Sequence, residues 1–176
     1  TIGITPPRRS NSRAGAHHFN IRVTSPNYPG RTCGRGATLT INPYYEFAIG
    51  DLSPRQQTVT WTRRTGQAAL AIANQGNAEA TFRLDGEDDQ RGCAFEFQLP
   101  GGTAGRSARQ AEIRVPPDAV STVPIFITPL KRRLVGLRKH NYALTITNTL
   151  LQGQQTPRSV FGTLAAAPLI GLGLLL

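Results

Sequence analysis

The sequence has no methionine, two cysteines, one tryptophan and few acidic residues. Two cysteines are too few for a disulfide-rich scaffold or a structural zinc site. Charged residues make up 17% of the 176 positions, against about 25% in a typical soluble domain. With 18 Gly and 13 Pro, this composition favours short strands and turns over a helical bundle or coiled coil. The absence of Met from a chain starting at Thr1 predicts a processed or partial chain.

Positive charge exceeds negative charge by ten, and nearly all of the 20 basic residues are Arg. The simpler interpretation is ordinary surface solvation with a bias toward Arg. The alternative is attraction to phosphate, acidic polymers or anionic lipid head groups. Two loops hold the candidate interaction residues: Arg8, Arg9, Arg13, Lys131, Arg132, Arg133, Arg138 and Lys139. Acidic residues cluster at 85–89, so a contact between the basic and acidic loops of neighbouring modules is a further interpretation.

An internal repeat organises the chain. Shifting the sequence by 123 positions without a gap aligns residues 1–44 with residues 124–167 at ten identical positions. Ile2 and Ile4 fall on Ile125 and Ile127, and His17 falls on His140. The spacing suits a β-sandwich module with generous loops. It predicts the last strands of a first module over 1–42 and a complete module over 43–166.

Period-two alternation of apolar residues predicts about nine short strands in the second module and no amphipathic helix. Their apolar faces predict an all-β, antiparallel, immunoglobulin-like sandwich. Ile2–Thr5 also reads as a strand, and the segment from Asn74 to Asn77 as a tight hairpin turn. Trp61 is expected to pack in or over the core, with a carbohydrate-stacking role as the alternative.

The sequence holds no convergent set of catalytic, cofactor-binding or metal-binding residues. His17 and His140 occupy equivalent repeat positions and are expected in turns. The cluster at 85–89 lacks the spacing of a calcium loop, so a solvated turn is preferred to a calcium site. Whether Cys33 and Cys93 pair is left open. Neither a recognition helix nor an aromatic platform accompanies the basic residues, which disfavours nucleic acid, and an enzyme is the least supported class.

The C-terminus carries a membrane signal. No charged residue occurs from Ser159 to Leu176, and the last residues are almost wholly apolar. They are too few to span a bilayer, which takes about 20 residues in a helix. Residues 167–176 are therefore predicted to begin a transmembrane anchor, with a buried or interfacial segment as the alternative.

Several segments carry a family resemblance: Tyr45-Glu-Phe, Asn74-x-Gly-Asn77, the basic loop from Pro129 through Arg133, and Gly162-Thr-Leu164 before the Leu-rich end. The chain resembles the Ig-like modules of bacterial multi-Ig membrane-anchored proteins of the actinobacterial and Chloroflexota type. These are similar to NPCBM-associated and CARDB-like modules. The resemblance implies an Ig-like sandwich, tandem repetition and a transmembrane anchor. It implies neither an enzymatic activity nor known binding residues, and no cofactor is expected.

The expected function is that of a non-enzymatic, membrane-anchored structural or interaction protein, in which Ig-like modules act as spacers and docking surfaces within a larger assembly. Its expected partners are protein subunits and, through the C-terminal segment, the membrane. The expected location is a bacterial cell surface or another extracytoplasmic site. Two alternatives remain: a module that binds cell-wall glycan or anionic polymer, and a filament subunit completed by strand complementation.

Overall fold

The computed structural model describes residues 2–99, 109–131 and 138–168. These residues form strands joined by turns, with no helix, as the alternation predicts. The strands are β1 (Gly15–Thr24), β2 (Thr32–Ile41), β3 (Phe47–Ile49), β4 (Gln56–Val59), β5 (Gly66–Asn74), β6 (Ala80–Asp88), β7 (Cys93–Phe97), β8 (Gln110–Val115), β9 (Ala119–Pro129), β10 (His140–Leu150) and β11 (Arg158–Ala166).

Strands β3 to β11 form two sheets packed face to face. One sheet has the order β3-β5-β9-β7, and the other has the order β4-β11-β10-β6-β8. Seven of these strands reproduce the immunoglobulin arrangement in chain order, with β3, β5, β9 and β7 at positions A, B, E and D, and β6, β10 and β11 at positions C, F and G. Strands β4 and β8 extend the second sheet. The strand order therefore confirms the predicted Ig-like sandwich, but the sheets are not wholly antiparallel as predicted, because β4 pairs with β11 in parallel.

The core lies between the two sheets and follows the predicted alternation. Along β5, Ala68, Leu70 and Ile72 are buried, and the residues between them are more exposed. Phe82 of β6 and Phe95 of β7 are fully buried, and Phe47 meets the Phe82 ring edge-on with ring centres 5.2 Å apart. Each buried aromatic or large aliphatic side chain contributes about 1.5–3 kcal/mol to folding. The sandwich is thus held together mainly by apolar burial.

Strands β1 and β2 form an antiparallel hairpin outside both sheets. The hairpin lies within the predicted segment 1–42, and the two sheets lie within 43–166. The predicted strand at Ile2–Thr5 is wrong, because this segment is exposed and pairs with no strand among the described residues. Its repeat counterpart lies in β9, where β5 and β7 supply ladder partners on both sides.

The predicted hairpin turn between Asn74 and Asn77 is also wrong. Strands β5 and β6 lie in different sheets, so the connection arches across the sandwich. The Asn74 Nδ2 atom donates to the carbonyls of Ala78 and Val115, each at 2.9 Å, and its Oδ1 accepts from the Gly76 amide. A Cβ at position 76 would lie 2.5 Å from the Tyr44 carbonyl oxygen, so only glycine fits this close approach.

Candidate interaction surfaces

The chain meets the sandwich at one end and leaves it at the other. The hairpin end comprises the connections β5–β6 and β8–β9, against which residues 8–14 and 42–44 pack. At the opposite end, β11 runs parallel to β4, and the Ala167 amide donates to the Val59 carbonyl at 2.9 Å. We call this opposite side the exit end. It comprises the turns 60–65 and 89–92, residues 130–131 and 138–139, and the chain at 167–168.

Asn77 fixes the hairpin to the sandwich. Its side chain is 2% exposed, and its Nδ2 atom donates to the carbonyls of Ser12 at 2.9 Å and Asn42 at 3.2 Å. Its Oδ1 atom accepts from the Tyr44 amide at 2.8 Å, and its own carbonyl accepts from Ala14. Asn77 therefore ties together the segments on both sides of the hairpin. Sequence reasoning assigned it only a local turn.

The basic residues of the first loop lie at this junction, all of them exposed. The Arg8 guanidinium lies 4.9 Å from the centre of the Tyr44 ring. Arg13 Nη1 donates to the Pro117 carbonyl at 2.8 Å, and Ser10 Oγ bonds to Asp118 at 3.1 Å. Two of the predicted interaction residues, Arg8 and Arg13, thus contact the sandwich of their own chain. Arg9 is exposed on the same loop.

The hairpin has an apolar face with little cover. Phe19, Ile21, Leu39 and Ile41 are half-buried, and Val23 is 61% exposed. Among the described residues, β1 and β2 pair only with each other, so each strand has one free edge.

The repeat counterpart of this hairpin is β10–β11, which lies inside the five-stranded sheet. There, β6 pairs with β10 and β4 pairs with β11. Gly30 and Gly153 occupy equivalent loop positions and both have positive φ angles, +94° and +87°. In the first hairpin Phe19 pairs with Ala37, and in the second its repeat counterpart Tyr142 pairs with Leu164. Relative to the repeat, the second pairing is shifted by an even number of residues. An even shift keeps equivalent side chains on the same face of the hairpin.

The exit end brings distant turns together. Gln90, Gly92, Lys131, Arg138 and Pro168 line one groove. The Leu130 amide donates to the Gly92 carbonyl at 2.7 Å, which joins the β6–β7 turn to the end of β9. The two hydroxyls of Thr65 and Thr128 lie 3.0 Å apart, which joins the β4–β5 turn to the same strand.

The exit end is basic and carries two exposed apolar side chains. Its described basic residues are all exposed: Arg63, Arg64, Arg91, Lys131, Arg138 and Lys139. The strand order places the predicted Lys131, Arg138 and Lys139 at the same end of the sandwich as three arginines that sequence reasoning missed, while Arg132 and Arg133 lie outside the described residues. Leu130 is 60% exposed. Trp61 is 58% exposed, so the expectation that it packs in or over the core is wrong.

Most of the acidic cluster lies in a strand, and its end shapes the turn that follows. The expected solvated turn is wrong for Asp85, Glu87 and Asp88, which belong to β6, and only Asp89 lies in the turn. Asp88 Oδ1 accepts from the amides of Gln90 and Gly92, and its Oδ2 accepts from the Cys93 amide at 2.9 Å. Asp89 Oδ1 accepts from the Ala143 amide, which ties this turn to β10. No three His, Cys, Asp or Glu side chains among the described residues are placed to hold a metal ion. These carboxylates therefore have an identifiable role in shaping the loop.

The histidines and cysteines also have local structural explanations. His17 Nε2 lies 2.8 Å from the Arg13 carbonyl oxygen, and His140 Nε2 lies 2.7 Å from Gln90 Oε1. The expectation that both histidines lie in turns is wrong, because His17 belongs to β1 and His140 is the first residue of β10. Cys33 and Cys93 are both free; the first is exposed and the second is buried. Burial, followed by the nearby Asp88 and Asp89 charges, raises the pKa of the Cys93 thiol to about 12.

The membrane prediction concerns residues largely beyond the described ones. Within the part of the chain that the structure describes, which ends at Pro168, no helix has the length and apolar character needed to cross a membrane. The predicted anchor at 167–176 has only its first two residues in that part.

No protein-family model matches the chain, and no curated protein sequence matches it. It is similar to the PapD-like domain 7 of human CEP192, with 13% identity over 70% of this chain and 84% of that chain and a TM-score of 0.38. It is also similar to the periplasmic chaperone SfaE, with 10% identity, 72% and 60% coverage and a TM-score of 0.39. AggA, the major subunit of Escherichia coli aggregative adherence fimbriae type I, shows 9% identity, 74% and 97% coverage and a TM-score of 0.37. At these scores the likenesses add nothing to what the strand order shows.

Proposed function

We propose that this chain is a non-enzymatic spacer and docking module that links a preceding Ig-like module to a membrane anchor in a larger assembly. One observation carries the proposal: the chain is attached at one end of the sandwich through the Asn77 junction and leaves from the other end beside β4. A spacer needs its two connections at opposite ends, because only then does the length of the sandwich separate what it links.

The hairpin supports a preceding module. It holds the repeat positions of β10 and β11, including the positive-φ glycine of the loop, and its free edges and apolar face are those that β6, β4 and the facing sheet cover in the second module. A preceding module would supply the equivalents of β3 to β9. The complete reading frame tests this directly: upstream codons should continue the repeat, and an upstream sequence without it would contradict the tandem arrangement.

The apolar sequence of residues 167–176 supports the membrane anchor. It comes directly after β11, which gives the anchor a short connection to a folded strand. Downstream codons should complete an apolar stretch of about 20 residues. The expected location is a bacterial cell surface or another extracytoplasmic site.

A distance measurement tests the spacer itself. Cys33 is exposed on the hairpin, whereas Cys93 is buried with a raised pKa, so a spin label at neutral pH reacts with Cys33. A second label at an introduced Thr62→Cys reports the exit end. A rigid spacer gives one narrow distribution of distances between the two labels. A broad distribution of distances in the protein whose only substitution is Thr62→Cys would contradict the proposal.

The free edges of β1 and β2 favour a second candidate, a subunit whose hairpin is completed by strands of another chain. This candidate predicts self-association that increases with protein concentration in sedimentation experiments. Charge reversal at the exit end should leave such assembly unchanged, because the free edges belong to the hairpin. A chain that stays monomeric at every concentration would exclude it.

A further inference from the structure

We propose that the exit end is a docking face for an anionic lipid surface, which holds the sandwich against the bilayer from which the anchor emerges. The inference rests on the membrane anchor of the proposed function and deepens it by naming the surface and the residues. It adds Trp61, Leu130, Arg63, Arg64 and Arg91 to the predicted Lys131, Arg138 and Lys139.

Charge is the first support. Six exposed Lys and Arg side chains at this end outnumber the three carboxylates near it, those of Glu87, Asp88 and Asp89. The oxygens of Asp88 and Asp89 already accept hydrogen bonds from backbone amides. The ion pair found among the described residues joins Arg83 to Glu112, away from the exit end. The six cations are therefore available to lipid phosphates, and basic residues near an anionic membrane surface are attracted to it.

Exposed apolar residues are the second support. Trp61 lies in the turn after β4 and Leu130 comes directly after β9, and both are more than half exposed at the end of the molecule that carries the basic residues. Tryptophan is enriched where membranes meet water, because its ring is apolar and its N–H still reaches a polar partner. An exposed Trp beside basic residues is the pairing that membrane-surface segments show.

The path of the chain is the third support. Ala167 bonds to Val59, two residues before Trp61, and Pro168 lines the same groove as Lys131 and Arg138. The described chain therefore ends within this face, and the apolar residues 169–176 come next in the sequence. A short anchor that starts here brings the six cations close to the head groups, well within the range of their electrostatic attraction.

The repeat is the fourth support. Arg8 is the repeat counterpart of Lys131. The Arg8 guanidinium lies against the ring of Tyr44, in the segment that follows the hairpin. The corresponding end of the second module is thus the side that contacts the next segment of the chain. In the second module that next segment is the apolar C-terminal sequence.

Trp61 is the single tryptophan and serves as the reporter. The chain is expressed with the downstream codons that complete its apolar stretch, and it is reconstituted into vesicles of phosphatidylcholine alone or of phosphatidylcholine with phosphatidylglycerol. Docking predicts a blue shift of Trp61 emission in the anionic vesicles, none in the neutral ones, and its reversal by high salt. The double variant Arg63→Glu with Arg64→Glu should lose the shift. The matched variant Arg22→Glu with Arg35→Glu, on exposed hairpin positions, should keep it.

Two readouts separate this inference from the proposed function. Flotation of the protein with vesicles of either composition reports the anchor, whereas the Trp61 shift reports the face. Flotation without a composition-dependent shift would overturn the docking face and leave the anchor intact, and loss of flotation would contradict the anchor. A shift produced by soluble alginate but by neither vesicle would also overturn the proposal, in favour of polysaccharide binding. Thermal unfolding checks that each variant is folded.

Discussion

At the residue scale, a few buried polar side chains influence the stability of the sandwich. Asn148 of β10 points into the core, is fully buried, and has no hydrogen-bond partner for Nδ2 or Oδ1 among the described residues. An unsatisfied buried polar group costs about 1–3 kcal/mol. Asn148 is therefore a position where the sequence has kept a polar side chain at the expense of stability.

Replacing Asn148 with leucine, which has nearly the same shape, should stabilise the protein. Asn148→Leu is expected to raise the free energy of unfolding by about 1–2 kcal/mol, because it removes two unsatisfied groups and adds apolar contact. Urea denaturation measures the change. The same substitution at exposed Asn20 should leave the free energy of unfolding nearly unchanged, and a destabilised Asn148→Leu variant would contradict the prediction.

The buried thiol gives the protein an alkaline pH dependence. Burial raises the pKa of Cys93 from 9.0 to about 12, so between these values the unfolded thiol loses its proton while the folded one keeps it. The unfolded state then binds fewer protons, and the free energy of unfolding falls as the pH rises from about 9 to 12. Cys93→Ala should reduce this slope in denaturation curves, whereas Cys33→Ala should not. Equal slopes for both variants would count against the assignment.

At the element scale, period-two alternation was sufficient to predict most strands, because one side of each strand faces the core. The alternation failed where strand formation depends on a neighbouring strand. Ile2–Thr5 has the alternation and lacks a neighbouring strand among the described residues. The segment from Asn74 to Asn77 has hairpin chemistry, but turn residues do not determine whether the next strand joins the same sheet.

The two repeat-related hairpins should differ in stability, because a lone two-stranded ribbon is marginal in water and one inside a sheet is not. In native hydrogen exchange, amides that β1 and β2 share should exchange much faster than those that β10 and β11 share. Peptide-level mass spectrometry resolves both hairpins. Equal protection would show that the free edges of β1 and β2 are covered in solution. Exchange at a fixed protein concentration and at a tenfold dilution is the control for self-association.

At the scale of the whole molecule, the sites proved less predictable than the fold. Asn77 bonds to Ser12 and Asn42, residues 65 and 35 positions away in sequence, and no local pattern announces such contacts. Arg63, Arg64 and Arg91 lie at the same end as the second basic loop only because β4, β6, β9 and β11 all end there. Composition and charge could show an excess of Arg, but only the strand topology shows which arginines lie at the same end of the molecule.

The junction at Asn77 makes a whole-molecule prediction. Asn77→Ala removes the two donors and one acceptor that hold the segments flanking the hairpin, so the hairpin should swing more freely. The distribution of distances between labels at Cys33 and Thr62→Cys should broaden, and the free energy of unfolding should fall by about 1–3 kcal/mol. Asn20→Ala, on an exposed hairpin position, is the matched control. An unchanged distribution would mean that Arg8 and Arg13 suffice for the junction.

The parallel pairing of β4 with β11 has a mechanical consequence. These strands run side by side from Gln56 to Val59 and from Thr163 to Ala166, and backbone bonds at Arg55–Thr163 and Val59–Ala167 close both ends of the ladder. Tension applied between the hairpin and Pro168 would pull β4 and β11 past each other along their length. The hydrogen bonds of the ladder would then share the load together instead of opening one at a time, as they would in a ribbon peeled from one end.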